Sequence, residues 1–193
     1  SKRNNKPLAV FFLDLDKFKE VNDTFGHPVG DQLLVDAAER ITDCVRETDT
    51  VSRLGGDEFT VILTDLDDIH GIERTANEII HSLSEPFQLD DNTAYVSASI
   101  GITLYPNDAK TVSDLLKNAD QAMYMAKESG RACFRYFTKK MQQSAWTRFN
   151  LLNDLRVALS KQQFELYYQP IEHLPTGKIY KAEALIRWHH PER

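Results

Sequence analysis

Acidic residues at two places in this 193-residue chain have types and spacing suited to chemistry. Asp14 follows the apolar run Leu8 to Leu13, and Asp57 and Glu58 follow Gly55 and Gly56. A strand that ends on Asp14 delivers one carboxylate to the end of a sheet. A tight hairpin turn at Leu54-Gly55-Gly56-Asp57 brings two more, and its glycines let a bulky ligand approach the backbone. Carboxylates from two strands can converge on one Mg2+, which takes oxygen ligands and commonly holds substrate phosphates as well. The chemistry would be binding of a nucleoside triphosphate through its metal. Asp is also common in plain turns. For Asp14 alone the plain turn is the better reading; for Gly-Gly-Asp-Glu-Phe between two strands it is not.

These residues need elements to hold them, and periodicity supplies the elements. Leu8 to Leu13 suits a short buried strand. Asp16 to Phe25 reads as a short helix stopped by Gly26. Val29 to Val45 has apolar residues at helical spacing, at 33, 34, 37, 38, 41 and 45. Strands are expected at Thr50 to Arg53 and Glu58 to Leu63, and a helix at Ile69 to Leu83, ended by Pro86. A turn at Asp90-Asp91-Asn92 precedes a strand from Ala94 to Tyr105. A helix from Val112 to Glu128 ends at Ser129-Gly130, before a last strand from Cys133 to Phe137. The order βααββαβαβ predicts an α+β fold with helices packed on a mixed, largely antiparallel central sheet. A helix over Lys139 to Leu159 follows as a connector. Two strand-like runs come after it, at Phe164 to Pro170 and Ile179 to Trp188.

Composition narrows the class. The chain is 41% hydrophobic, enough for a sizeable core, and its net charge of −6 argues against general nucleic-acid binding. Cys44 and Cys133 lack metal-ligand spacing and read as reduced core thiols of a cytoplasmic protein. No run reaches the ~18 apolar residues of a membrane span. The polar start Ser1-Lys2-Arg3-Asn4-Asn5-Lys6 reads as a cut inside a longer protein, with room for membrane or sensor segments upstream.

Three ordered stretches carry a family resemblance. Phe12-Leu13-Asp14-Leu15-Asp16-Lys17-Phe18-Lys19 leads into Val21-Asn22-Asp23-Thr24-Phe25-Gly26-His27 and Gly30-Asp31. Arg53 to Phe59 forms the second stretch, and Ala119 to Lys127 with Gly130-Arg131 the third. Together they resemble GGDEF domains, the diguanylate cyclases that join two GTP into cyclic di-GMP. The resemblance implies a nucleotidyl cyclase fold like a polymerase palm. It implies Asp14, Asp57 and the carbonyl of Leu15 as ligands of Mg2+ (or Mn2+). Asp57 matches the residue that helps deprotonate the attacking 3′-hydroxyl, with Glu58 as a second acidic candidate. Asn22 and Asp31 match the guanine readers, since an amide and a carboxylate can pair with the guanine edge. His27 matches a substrate contact. Lys127 and Arg131 match a phosphate-binding pair, although cations at a helix end are also an ordinary solvated terminus. The amides of Phe18 and Lys19, near a helix start, suit phosphate as well. One domain holds one GTP, so activity implies a homodimer.

Arg46-Glu47-Thr48-Asp49 matches the RxxD motif of the family's inhibitory, product-binding site, at the family's spacing from the glycines; a surface ion pair is the plainer reading. Glu78 aligns where the family carries a further Arg, with Arg74 one turn earlier. The runs Phe164 to Ile171 and Glu183 to Trp188 resemble the opening of EAL domains, cyclic di-GMP phosphodiesterases built as TIM-type barrels. There Glu183 matches a metal ligand, and Gln169 and Arg187 match ligand-binding positions. A barrel of this class needs on the order of 200 residues, so only a truncated, inactive piece is expected. His189 and His190 are neighbours and do not face one site. The expected organisation is a GGDEF domain over 1–137 without its N-terminal helix, a helical linker over 138–150, and an EAL fragment over 151–193.

Overall fold

The computed structural model describes residues 7–66, 69–90 and 92–191, apart from the side chains of residues 69, 143–146, 148 and 149. The polar start at 1–6 and Asp91 of the expected turn lie outside the described residues. The chain divides into two compact units, Ser1–Gln142 and Gln143–Arg193.

The first unit is built on a five-stranded sheet of order β2-β3-β1-β6-β7. Its strands are β1 (Leu8–Asp16), β2 (Thr50–Gly55), β3 (Glu58–Leu63), β6 (Ser97–Tyr105) and β7 (Phe134–Tyr136). A separate small hairpin joins β4 (Phe87–Leu89) to β5 (Asn92–Ala94). The helices are α1 (Phe18–Phe25), α2 (His27–Asp43), α3 (Ile69–Ser84) and α4 (Val112–Glu128). All pairings in the large sheet are antiparallel except β6 with β7. The expected α+β architecture is observed, with β4 and β5 as additions.

Side-chain alternation sorts the layers. Ala9, Phe11, Leu13 and Leu15 of β1 enter the main core with Leu33, Ala37 and Ile41 of α2 and Ile72, Ala76 and Ile79 of α3. Phe12 points the other way and packs on Ala119 and Met123 of α4. Opposite Phe12 stands Gly101, where a Cβ would run into the backbone of Ala119 and Met123. The missing side chain lets α4 cross β6 at backbone distance.

Connectivity then decides what meets at one end of the sheet. β1 is antiparallel to both β3 and β6, so its C-terminal end lies beside the start of each, with Asp14 opposite Glu58 and Ser99. α4 links the parallel strands β6 and β7 and therefore runs back to that same end. Thr111 fixes where α4 starts, accepting from Asp114 N–H at 3.1 Å and donating to its carboxylate at 2.7 Å. Across the sheet, Arg40 of α2 donates to the carbonyls of Ser82, Glu85 and Pro86 at 2.7–2.8 Å, satisfying the end of α3.

The second unit holds most of α5 (Lys139–Ser160) and an antiparallel hairpin of β8 (Phe164–His173) and β9 (Lys178–Trp188). Trp188 Nε1–H donates to Gln163 Oε1 at 3.1 Å and its ring packs on Phe164. Among the described residues no helix is long and apolar enough to cross a membrane.

Candidate active site

The strand β1 runs two residues beyond Asp14 before the chain turns at Lys17, whose φ is 66°. Asp14 and Asp16 both point to the α4 face, as period two requires. Asp14 is 7% exposed. A buried carboxylate needs partners, and Lys127 provides one: its Nζ lies 2.6 Å from Asp14 Oδ2. Burial pushes the Asp14 carboxyl above its usual range; the Lys127 hydrogen bond opposes this, and the nearby charge of Asp57 adds to the rise.

The hairpin carrying Asp57 is tied in twice. Leu15 N–H donates to the Asp57 carbonyl at 3.2 Å, and Arg53 Nε–H donates to the Gly56 carbonyl at 2.9 Å. Gly56 takes φ 56°, and a Cβ on either glycine would meet no atom within 4 Å, so the tip is open to a ligand. Among the described residues no group of three or more His, Cys, Asp and Glu side chains gathers as a metal cluster. Asp14 and Asp57 are near enough for their charges to interact.

On the other side of Lys17, α1 begins with no side-chain cap, leaving its first turn of amides at Phe18 and Lys19 without that competitor. Asn22 lies on α1 and Asp31 on α2, on either side of the bend at Gly26, with exposed His27 as the first residue of α2. Asn22 packs over Gly30, where a Cβ would run into its side-chain amide. Asn22 Oδ1 is buried and has no hydrogen-bond partner. A buried acceptor left unsatisfied is costly, and a ligand N–H would satisfy it.

At the end of α4, Lys127 faces Asp14 while Arg131 Nε lies 3.8 Å from Asp16 Oδ1. Asp16 also accepts from Ser97 Oγ at 2.7 Å, Ser99 Oγ at 2.8 Å and Ala132 N–H at 3.3 Å. Sequence reasoning passes over this trio of Asp16, Ser97 and Ser99. The available signal is polar residues at alternate positions in two otherwise apolar strands.

Sequence profiles and solved structures agree on the kind of protein that carries this arrangement. The family described as "Diguanylate cyclase, GGDEF domain" matches residues 1–133, and the EAL domain matches residues 152–193. The chain belongs to the GGDEF family. It is similar to the bifunctional diguanylate cyclase/cyclic di-GMP phosphodiesterase MucR of Pseudomonas aeruginosa, at 45% identity over 98% of this chain and 28% of that protein. It is also similar to the cyclic di-GMP phosphodiesterase NbdA of the same species, at 43% identity over 96% of this chain and 24% of that protein. The chain thus spans about a quarter of the length of these relatives. Its fold matches the crystal structure of the GGDEF domain of TpbB from Pseudomonas aeruginosa, with TM-score 0.68 and 46% identity, covering 71% of this chain and 86% of that one.

The GGDEF domain also has a cavity of about 760 Å3 away from the carboxylate end, lined in part by Cys44, Arg46, Asp49, His70, Arg74 and Glu78. Asp49 holds the turn together there, its carboxylate accepting from Arg46 N–H at 3.1 Å and Thr64 N–H at 3.0 Å. Arg74 pairs with Glu78 one turn on, at 3.8 Å. Burial raises the Cys44 thiol above its ordinary range, against a hydrogen bond with Ser82, and Glu78 and Asp43 push the same way as burial.

In the segment that matches the EAL domain, Gln169 of β8 stands directly opposite Glu183 of β9, and Arg187 opposite Glu165; all four are exposed. His189 pairs with Glu165 at 3.2 Å and His190 with Asp154 at 3.1 Å. The two histidines therefore serve different neighbours.

Proposed function

We propose that the GGDEF domain is a diguanylate cyclase that condenses two GTP into cyclic di-GMP and releases two pyrophosphates. The observation that carries this reading is the meeting of Lys127 with Asp14: a phosphate-seeking cation and a metal-seeking carboxylate share one end of the sheet, beside Asp57.

In this reading Asp14, Asp57 and the Leu15 carbonyl hold a Mg2+ or Mn2+ ion. The fit is chemical: the donors are hard oxygens, and Asp14 already holds a cation in the ammonium of Lys127. When bound, the ion stabilises charge on the attacking and leaving oxygens. Asn22 and Asp31 read the guanine edge, with buried Asn22 Oδ1 as the waiting acceptor, and His27 borders the nucleotide. Lys127, Arg131 and the amides of Phe18 and Lys19 take the phosphates. Asp57 helps draw the proton from the 3′-hydroxyl, with Glu58, opposite Asp14 in register, as the second acid. Each 3′-hydroxyl attacks the α-phosphate of the other GTP, so two domains face each other as a homodimer. The domain works in the cytoplasm, where GTP is supplied.

A second reading is a non-catalytic module that binds GTP or cyclic di-GMP and controls an EAL phosphodiesterase. It draws on NbdA, named only as a phosphodiesterase, and on the cavity where Arg46 and Asp49 suit the product as an inhibitory ligand. In that setting Glu183 is a metal ligand and Gln169 and Arg187 bind the dinucleotide within a complete EAL domain. The deciding experiment incubates the full-length protein with GTP and Mg2+ and separates products by chromatography. Cyclic di-GMP from a dimeric sample supports the cyclase. Its absence from such a sample supports the module, and calorimetry with Arg46→Ala as control then identifies the ligand.

A further inference from the structure

Asp16 is buried more deeply than Asp14, at 3% against 7% exposed, yet it has no part in the chemistry above. It gathers groups from two stretches of chain distant from its own strand. Ser97 and Ser99 come from β6, and Arg131 and the Ala132 amide come from the turn between α4 and β7. That turn is unusual. Arg131 and Ala132 follow each other at φ 64° and 46°, in the left-handed region that non-glycine residues avoid. Consecutive residues of this kind persist when their surroundings hold them. The holding contact is visible: the Ala132 N–H reaches Asp16 Oδ2 at 3.3 Å.

The same carboxylate faces Arg131 without consuming it. The Nε contact is long, at 3.8 Å, and the Arg131 side chain is 56% exposed. A long ion pair whose guanidinium stands largely in solvent contributes little stability, but it restrains the direction of the guanidinium, whose other donors suit a phosphate fork. We propose that Asp16 is a positioning residue: anchored by Ser97 and Ser99, it pins the α4–β7 turn and aims Arg131 at the β- and γ-phosphates of the nucleotide bound over Asp14. It touches no reacting atom. The proposal rests on the reading of Arg131 as a phosphate ligand.

The test is calorimetric titration of the 193-residue chain with Mg2+ and a non-hydrolysable GTP analogue, and separately with GMP, which lacks the β- and γ-phosphates. The variants are Asp16→Asn, Arg131→Ala and the double substitution, with melting curves for each. Asp16→Asn keeps the shape but replaces an accepting oxygen with a donor. Each single variant is expected to weaken the triphosphate about tenfold, the scale of one charge-assisted hydrogen bond. GMP affinity stays unchanged, and the double variant is no weaker than the worse single one. If Arg131→Ala loses affinity and Asp16→Asn does not, the positioning role falls and the phosphate reading stands. Equal losses for GTP analogue and GMP in Asp16→Asn, or fully additive losses in the double variant, likewise overturn the positioning role. An Arg131→Ala chain with full affinity overturns both. Should Asp16→Asn not fold, Ser97→Ala removes one anchor and leaves the carboxylate. It is expected to give a smaller loss for the triphosphate only, and no loss would count against the proposal.

Discussion

Lys127 Nζ lies 2.6 Å from Asp14 Oδ2, with both side chains largely shielded from water. The lysine ammonium occupies one of the carboxylate oxygens proposed to face a divalent ion. In the proposed cyclase, ion and lysine would therefore compete for Asp14, and the nucleotide would resolve the competition by offering Lys127 its phosphates. Lys127→Met is expected to tighten binding of Mn2+ alone, on the order of tenfold, because a positive charge is removed at contact distance. The same variant weakens binding of the metal–GTP complex. Electron paramagnetic resonance of free Mn2+ reads the first effect and calorimetry the second; metal affinity that falls or stays level would sink the competition.

Asp57→Ala removes a proposed metal ligand without disturbing the backbone bonds at the hairpin tip, since both Leu15 and Arg53 bond to carbonyls there. Product formation is expected to drop by at least about 10²-fold, the scale of losing one electrostatic contact to the transition state. The melting temperature stays near that of the parent. Retained turnover would remove Asp57 from the chemistry.

Gly30→Ala inserts a methyl group into the Asn22 amide. The amide is the end of a flexible side chain and can swing aside, and Ala favours a helix over Gly by ~1 kcal/mol. The fold is therefore kept while the proposed guanine acceptor moves. The ratio of GTP to ATP affinity should fall by at least about tenfold, since a site built for hydrogen bonding discriminates strongly. Paired titrations with the two nucleotides check it; an unchanged ratio contradicts the role of Asn22.

Gly101→Ala has no such escape, because its methyl group meets the backbone of α4 at Ala119 and Met123. The helix must lift from β6. A cost of about 3 kcal/mol, the upper end of overpacking, is expected in urea denaturation. A midpoint equal to the parent's would show that the close crossing is not needed.

Cys44 offers a pH-dependent probe of the Arg46 cavity. Its raised thiol pKa means less thiolate at a given pH than in a free cysteine. In a Cys133→Ser background, alkylation at pH 8 should be slower than for a model thiol and should still climb beyond the ordinary thiol pKa of about 8.5. The sign also holds for stability: the unfolded thiol ionises first, so alkaline pH erodes stability through this group. If the cavity takes cyclic di-GMP, the dinucleotide slows the labelling further; an unaffected rate argues against occupation there.

Much of this molecule was legible before its coordinates, and the gaps have physical causes. Helical period placed α4 at Val112 to Glu128, where it is found. The β4–β5 hairpin escaped because strands of three residues carry no measurable alternation, so the strand expected from Ala94 begins instead at Ser97. β1 runs on to Asp16 rather than ending at Asp14, and α1 starts at Phe18 rather than at Asp16. Two aspartates look like the end of a strand only until Lys127 and the serines of β6 are seen to partner them. Family motifs pointed to Asp14, Asp57 and Lys127 one by one. That Lys127 contacts Asp14 depends on the crossover through α4, which no local pattern encodes.

The parallel pairing of β7 with β6 spans only Ile100–Phe134, Gly101–Arg135 and Ile102–Tyr136, with flanking bonds from Ile100 N–H to Cys133 and from Phe137 N–H to Ile102. It is the shortest seam in the large sheet, and the chain leaves the domain through it. Peeling it would leave the turn that carries Arg131 held by Asp16 and Ala126, while β1, β3 and β6 remain laced by longer ladders. Residues 134–136 are thus a mechanical handle. Tension on the chain beyond Phe137 would reach the turn that carries Arg131, the proposed phosphate ligand, before it reached the strands that carry Asp14 and Asp57.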